Sequence, residues 1–364
     1  MRVTIFHDFL IEKGGGERVV GTLAKYFNAK IVTSFYSRKN TYENFKDTSI
    51  MYNSGIINEK IAKFSPLKIL RSIFFFKNQL SKFSKFFNSH FDISIFSGFY
   101  SIYLAKFIDI SKIYYIQAEP LEYVFKREVY NSNRFLFHRI FYRLFLENLE
   151  KENIESMDKI IANSNYTKKI YEEYFKIRIS NVIYPPVNIK KFYFKNYSDF
   201  YLYVGRLYLH KRVHLIAKVF SRLKNEKLII VGSGPLSKYI TKLSRKYRNI
   251  IYLGAVSDSK LRELYATCKA VIYLSEKEHF GIVPIEANAS GKAAIVSNEG
   301  GLPETVINGK TGIIIDQPCE HNLERVILDF DVSKFNPKVC INNAKKFSEE
   351  VFIKRIKKEM CNLL

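Results

Sequence analysis

Apolar and polar positions alternate along this chain in a strand-then-helix rhythm. Short apolar runs of strand length begin at Val3 (VTIFHDFL), Lys30 (KIVTSFY), Phe91 (FDISIFSG), Lys112 (KIYYIQ) and Asp158 (DKIIANS). Between them lie stretches of helical character, Arg18 to Phe27 and roughly Phe135 to Glu155. The paired Pro185 and Pro186 end any regular element. The rhythm then restarts. Strand-like runs fall at Phe200, Lys227, Asn249, Ala270, Ala293 and Thr311. Lys211 to Leu223 reads as an amphipathic helix, with Val213, Ile216, Phe220 and Leu223 at helical spacing.

Strands alternating with helices predict parallel sheets covered on both faces. Two such runs, split near residue 190, predict an α/β chain of two Rossmann-like domains facing each other across a cleft. The expected boundaries are 1–190 for the first domain and 191–346 for the second. A basic amphipathic helix over 347–364 follows. The 364 residues, 47% hydrophobic and 15% aromatic, suffice for two cores. No run approaches the ~18–20 apolar residues of a membrane span. Neither a signal-peptide core nor a cleavage site follows Met1. The 4 cysteines form no CxxC pair and have no histidine at zinc-ligand spacing. These features lead us to expect a cytoplasmic protein with free structural thiols. The net charge of +23 favours anionic partners. It is spread over both halves and by itself names no partner.

The richest segment is 276–291. A strand ends near Ser275, and a short helix is expected from Pro284, a residue suited to the first helical position. The amides of Phe280, Gly281 and Ile282, just ahead of that helix, suit phosphate oxygens. Glu278 precedes the turn and Glu286 is expected in the first helical turn, so each could grip a different hydroxyl-bearing part of one ligand. The plainer alternative is that Glu278 is solvated and Glu286 supports the helix start. Gly205 and Arg206 leave a strand and Lys211 is expected to open the next helix, where two cations could neutralise a diphosphate. A solvated basic helix start is the alternative. Gly14-Gly15-Gly16 lacks full GxGxxG spacing, since Val19 occupies the last position, but permits close backbone approach to a ligand. Gly232, Gly234 and the Gly254-Ala255-Val256 turn are further strand ends that could flank a base. His7 and Asp8 end the first strand, facing a crevice or capping a loop.

On these residues the chain resembles the retaining glycosyltransferase family 4, of GT-B fold, and its mannosyltransferase-like branch. Glu278 and Glu286 around HFGIVPI form its paired-glutamate signature, backed by GRLYLHKRV, VGSGP and GGLPETVINGKTG. HDFLIEKGGGERVV, IANSNYTKKI and VIYPPVNIKKF match in the first half, and the region from about Thr41 to Ser89 does not. The resemblance implies a hexose, mannose-like, moved from a GDP- or UDP-linked donor to a glycan or lipid-linked acceptor, with no metal and no other cofactor. Arg206 and Lys211 would hold the diphosphate, Glu286 the ribose, and Glu278 the donor sugar. Gly205, Gly232, Gly234, Val256, His279, Phe280, Gly281 and Ile282 would line the donor site. Gly15 and Gly16 would cover the diphosphate from the other domain. The C-terminal helix would cross back to the first domain.

Gln117 stands where that branch usually carries a histidine, and can hydrogen-bond a sugar hydroxyl but not exchange a proton. Glu119 becomes an acceptor-side candidate with His7 and Asp8, or else a surface residue before Pro120. The one DxD, Asp329-Phe330-Asp331, lies outside the matched site and reads as surface. No nucleic-acid-binding pattern accompanies the charge. A non-catalytic sugar-nucleotide-binding protein of the same fold is the alternative function.

Residues 60–90 carry Lys60, Lys63, Lys68, Arg71, Lys77, Lys82 and Lys85 with no Asp or Glu, interleaved with Phe64, Phe74, Phe75, Phe76, Phe83, Phe86 and Phe87. Cations beside aromatic anchors fit an anionic membrane surface, here the cytoplasmic face. A helical subdomain whose phenylalanines fill a core is the alternative.

Overall fold

The computed structural model describes residues 1–45, 48–52, 71–120, 140 and 142–364. It divides into two compact units, Met1–Tyr184 with Phe352–Leu364, and Pro185–Val351. The expected divisions at 190/191 and 346/347 differ from these by a few residues. Val187 N–H donates to the Phe347 carbonyl at 2.8 Å, and Val187 bridges to Ser348, so the segment after the proline pair belongs to the second unit.

The first unit is built on the strands β1 (Val3–Leu10), β2 (Lys30–Tyr36), β3 (Ile50–Tyr52), β4 (Ile93–Ser97), β5 (Ser111–Ile116), β6 (Lys159–Ala162) and β7 (Asn181–Val182). Their order across the sheet is β3-β2-β1-β4-β5-β6-β7, and every pairing is parallel. Near-continuous apolar composition is what such a sheet demands, because both of its faces are covered. On one face Phe6, Phe87 and Phe96 meet ring to ring, all fully buried. Each such side chain contributes about 1.5–3 kcal/mol by leaving water. The other face is closed from the far end of the sequence. Phe352, Ile353, Ile356 and Met360, on the helix Glu349–Cys361, share a core with Val3, Ile5, Val20 and Leu23. Phe352 packs edge-on against Tyr115, and Glu359 binds both Lys159 and Asn181. The last helix is thus part of the first unit's core.

The second unit repeats the design with β8 (Tyr201–Val204), β9 (Leu228–Val231), β10 (Ile250–Gly254), β11 (Ala270–Tyr273), β12 (Ala294–Ser297) and β13 (Gly312–Ile315). These lie in the order β10-β9-β8-β11-β12-β13, again all parallel. The helix Val213–Arg222 buries Val213, Ile216 and Phe220, three of the four positions that set its expected apolar stripe. It starts two residues later than the periodicity suggests, since Arg212 ahead of it is left-handed, φ +51. Among the described residues all four cysteines are free, and no helix is long and apolar enough to cross a membrane.

The phenylalanine-rich stretch separates into two populations. Phe75, Phe76 and Phe87 are core residues, whereas Phe74 and Phe83 are 55% and 57% exposed. Lys60, Lys63, Phe64 and Lys68 lie outside the described residues. Of the helical stretch expected from Phe135, residues 135–139 and 141 also lie outside them, and the regular helix is Glu147–Glu155.

That helix carries a glutamate inside the core. Glu150 is fully buried, its Oε2 accepting from the Tyr142 hydroxyl at 2.5 Å and its Oε1 meeting no partner among the described residues. Burial, added to by the neighbouring Glu147 and Asp8, pushes its carboxyl up from 4.5 to about 8 despite the Tyr142 bond. A raised folded pKa means stability that is complete below the unfolded value and lost as pH rises through the folded one. Glu150→Gln should therefore flatten the decline in melting temperature between pH 5 and 9 that the unsubstituted protein shows. Parallel melting curves for the two proteins across that range would refute the assignment.

Candidate functional site

In a doubly wound sheet the strand order reverses once, and the loops leaving the two strands at that point part to open a crevice. The second unit reverses between β8 and β11. After β8 the chain passes through Gly205 and Arg206 into a tight turn, Leu209–Lys211. Lys211 therefore precedes the helix instead of opening it. After β11, the Glu276 N–H donates to the His210 carbonyl at 2.7 Å, which stitches the two loops together. Lys211 is carried with His210, and Glu278 with Glu276, so the two meet as an ion pair between Nζ and Oε2. Tyr273, the last residue of β11, closes the group. Its hydroxyl accepts from Lys211 at 3.0 Å and donates to Glu278 Oε2 at 3.1 Å.

Electrostatics follow from this geometry. Burial pushes the Glu278 carboxyl up, but the charge and hydrogen bond of Lys211 outweigh it and hold the group down at about 2. Burial, reinforced by the adjacent Glu278 charge, holds the Tyr273 phenol well above its ordinary range, so it remains a proton donor. Glu278 is thus an anion at any physiological pH. The plainer expectation, a solvated glutamate, does not describe it.

The backbone around Glu278 is clamped by the Glu299-Gly300-Gly301 turn. Gly301 N–H donates to the Glu278 carbonyl at 2.7 Å. A Cβ on Gly300, whose φ is +63, would stand 2.2 Å from the same oxygen. Arg212 fixes the turn from the other side, its guanidinium forked onto both oxygens of Glu299 at 2.8 and 3.0 Å.

The helix of the paired-glutamate segment runs Ile282–Ala289 with Gly281 as its N-cap. Pro284 is thus its third residue, still among the first four whose N–H would lack an intrahelical acceptor. Glu286 opens the second turn, not the first. It is 6% exposed and accepts from the Tyr265 hydroxyl at 2.8 Å. The Phe280 ring is buried against Phe347, leaving only its backbone for a ligand, and His279 and Ile282 are half-buried. Arg206 is exposed, its guanidinium 5.7 Å from the Tyr208 ring centre, with its carbonyl held by the Tyr203 hydroxyl at 3.2 Å.

The glycine turns after β8, β9 and β10 lie side by side on the same edge. Gly205 N–H donates to Val231 and Gly232 N–H to Gly254, at 3.1 and 2.8 Å. A side chain on Gly232, whose φ is +129, would collide with the Gly205 carbonyl at 1.9 Å. Gly234 abuts the Leu207 backbone, and Val256 is half-buried just beyond β10.

The first unit has its own reversal, between β1 and β4, and polar groups gather there. His7 Nδ1 meets the Ser97 carbonyl, and Gln117, just beyond β5, donates from Nε2 to Ser97 Oγ. The same Nε2 lies 3.5 Å from the Gly16 carbonyl. Gly15 and Gly16 are the first turn of the helix Gly15–Phe27, not a loop. His7 is 8% exposed, and burial lowers its imidazole to about 4, so it is neutral at pH 7. Asp8 is different. Its carboxylate accepts the backbone N–H groups of Phe99, Tyr100 and Ser101 at 2.6, 2.9 and 2.8 Å and is 5% exposed. Three of the acceptor positions of this carboxylate are thus spent on building the turn after β4. Glu119 is 1% exposed, so it is not a surface residue. Asp329 and Asp331, the DxD pair, cap the ends of neighbouring helical segments on the surface.

Sequence reasoning missed Tyr273, Ser97, Tyr265 and the Arg212–Glu299 fork. Tyr273 passes for one more apolar strand residue, and only its place at the strand's last position hints otherwise. Tyr265 sits mid-helix, and the fork joins residues far apart in sequence.

Residues 187–347 match the family model "Glycosyl transferases group 1". An uncharacterized glycosyltransferase of Methanocaldococcus jannaschii, MJ1607, is 31% identical over 155 residues, 40% of this chain and 39% of that protein. Alpha-1,3/1,6-mannosyltransferase ALG2 of Dictyostelium discoideum is 25% identical over 360 residues, 83% of each chain. The match spans 39% to 60% of the length of several curated relatives. Among solved structures, Anabaena Alr3699/HepE in complex with UDP-glucose superposes with a TM-score of 0.71 over 100% of both chains, at 16% identity. That likeness shows a shared fold class, GT-B, with two Rossmann-like units.

Gly300→Ala tests the clamp. The added Cβ meets both a strained φ and the Glu278 carbonyl, and such backbone conflicts cost about 1–3 kcal/mol. The melting temperature should fall by several degrees, and an unchanged melt would show that the turn does not bear on Glu278.

Proposed function

We propose that this chain, whose residues 187–347 match the family model of the glycosyl transferases group 1, moves a hexose from a nucleoside diphosphate donor to a glycan or lipid-linked acceptor with retention of configuration. The observation that carries the reading is the Lys211–Tyr273–Glu278 group at the β8/β11 reversal. An ammonium, a permanent carboxylate and strand-end amides on one edge suit a ligand that joins a diphosphate to a polyol. A mannose-like sugar is favoured by the similarity to the ALG2 mannosyltransferases, and UDP as carrier by the likeness to HepE, whose structures hold UDP and UDP-glucose.

Transfer breaks the bond between the anomeric carbon and the diphosphate oxygen. The nucleoside diphosphate leaves with the electron pair, and an acceptor hydroxyl takes its place. Lys211 and Arg206 stabilise the negative charge that grows on the leaving group, a task that a divalent ion performs elsewhere. Glu278, always ionised, accepts from donor-sugar hydroxyls and favours the oxocarbenium-like centre electrostatically. Glu286, oriented by Tyr265, accepts from the ribose. In the first unit, neutral His7 and Gln117 offer hydrogen bonds suited to sugar hydroxyls.

A panel of GDP- and UDP-sugars with a membrane extract as acceptor source tests this. Transfer should survive EDTA and fall about 10²–10³-fold in Glu278→Ala. Tight donor binding without turnover in the unsubstituted protein would favour the non-catalytic alternative.

The acceptor side suggests a membrane surface. Phe74 and Phe83 stand exposed among Arg71, Lys82 and Lys85, and Leu144 and Phe145, 68% and 60% exposed, flank Arg143. Apolar anchors ringed by cations complement an anionic bilayer. We expect flotation with phosphatidylglycerol-containing vesicles, weakened by Phe83→Ser and by Lys82→Glu. Absence of binding to anionic vesicles would end this part of the proposal.

A further inference from the structure

Tyr273 belongs to neither the paired-glutamate signature nor the basic turn, yet it contacts both. Its ring is buried at the end of β11, and its hydroxyl is the only group that touches Lys211 and Glu278 at once among the contacts given above. Lys211 and Glu278 neutralise each other as an ion pair. They have different tasks, one on the diphosphate and one on the sugar. A bound diphosphate must therefore draw the ammonium away from the carboxylate, which would leave Glu278 without its cation in a partly buried position. An unpaired carboxylate there would turn or take up a proton.

We propose that Tyr273 is a positioning residue, whose hydroxyl holds the Glu278 carboxylate in its working orientation when the donor diphosphate engages Lys211. The proposal deepens the reading of the same site as a sugar-transfer centre and rests on it. Two features of the structure make the phenol suitable. It is fixed, since β11 lies between β8 and β12 and the ring lies against Gly205, where an added Cβ would meet Cε2 at 3.5 Å. It also stays protonated, since burial and the facing carboxylate both oppose its ionisation. A hydrogen bond from it stabilises the charged form of Glu278 whether or not Lys211 is in contact. The other titratable groups that face Glu278 are Lys211 from the turn after β8, Tyr203 on β8 and His279 beside it. Of these, the Tyr203 hydroxyl is engaged by the Arg206 carbonyl.

Tyr273→Phe removes the hydroxyl and keeps the ring. The variant should melt within about two degrees of the unsubstituted protein. It should bind UDP and GDP within about threefold of the unsubstituted affinity, because Lys211 is retained. Its kcat for sugar transfer should fall about 10- to 100-fold with little change in donor KM, the pattern of an interaction that matters in the transition state. A second readout needs no activity. Titration of ¹³C-glutamate-labelled protein saturated with UDP or GDP, with the Glu278 signal assigned through Glu278→Gln, should show its carboxyl titrating higher in Tyr273→Phe. A kcat within twofold of the unsubstituted enzyme would overturn the proposal, as would a joint loss of melting temperature, nucleotide affinity and kcat. Identical Glu278 titrations in the two proteins would overturn it too, even if no donor is turned over. Absence of transfer by the unsubstituted protein would instead strike the sugar-transfer reading, leaving the titration to judge Tyr273.

Discussion

A single ion pair drawn partly out of water sets the terms for the second unit's site. Bringing Lys211 and Glu278 together costs desolvation of both, and their attraction repays it only if they are held in register. The surrounding backbone supplies that register. The Glu276–His210 hydrogen bond joins the loops, the Gly300–Gly301 turn seats on the Glu278 carbonyl, and the Arg212–Glu299 fork ties that turn to the start of the next helix. Neighbouring residues in sequence, Lys211 and Arg212, thus serve different ends: one makes the ion pair and the other holds the frame.

Three carboxylates drawn out of water take different states for equally physical reasons. Glu278 has a cation and is held low, at about 2, while Glu150 has only a phenol in a dry core and is driven up to about 8. Asp8, with three backbone donors, is still raised to about 6, because burial outweighs them. Hydrogen bonds temper the cost of taking a carboxylate out of water, and a full opposite charge reverses it.

Much of this was legible in the chain. Both parallel sheets and the break at the proline pair follow from apolar runs, breakers and periodicity, each a local signal, whereas the closing role of the last helix was implied only by the family resemblance. Lys211, Glu278 and Glu286 stood out because they follow strand ends or flank a helix start. What escaped was set by distance or by ambiguity of type. Tyr273 and Tyr265 look like core aromatics until the position of the hydroxyl is known. The part Asp8 plays in the turn after β4 was hidden because its three backbone partners lie some ninety residues away. Composition left two readings open for the phenylalanine-rich stretch, whose identical side chains divide between interior and surface.

The last helix has a consequence for biogenesis. The first unit's sheet is complete by Val182, yet one of its faces lacks Phe352, Ile353, Ile356 and Met360 until the whole second unit has been translated. The earlier-made half must wait on the ribosome with apolar surface uncovered, while the later-made half can collapse as soon as its own strands emerge. The order of maturation along this polypeptide is thereby inverted relative to the order of synthesis.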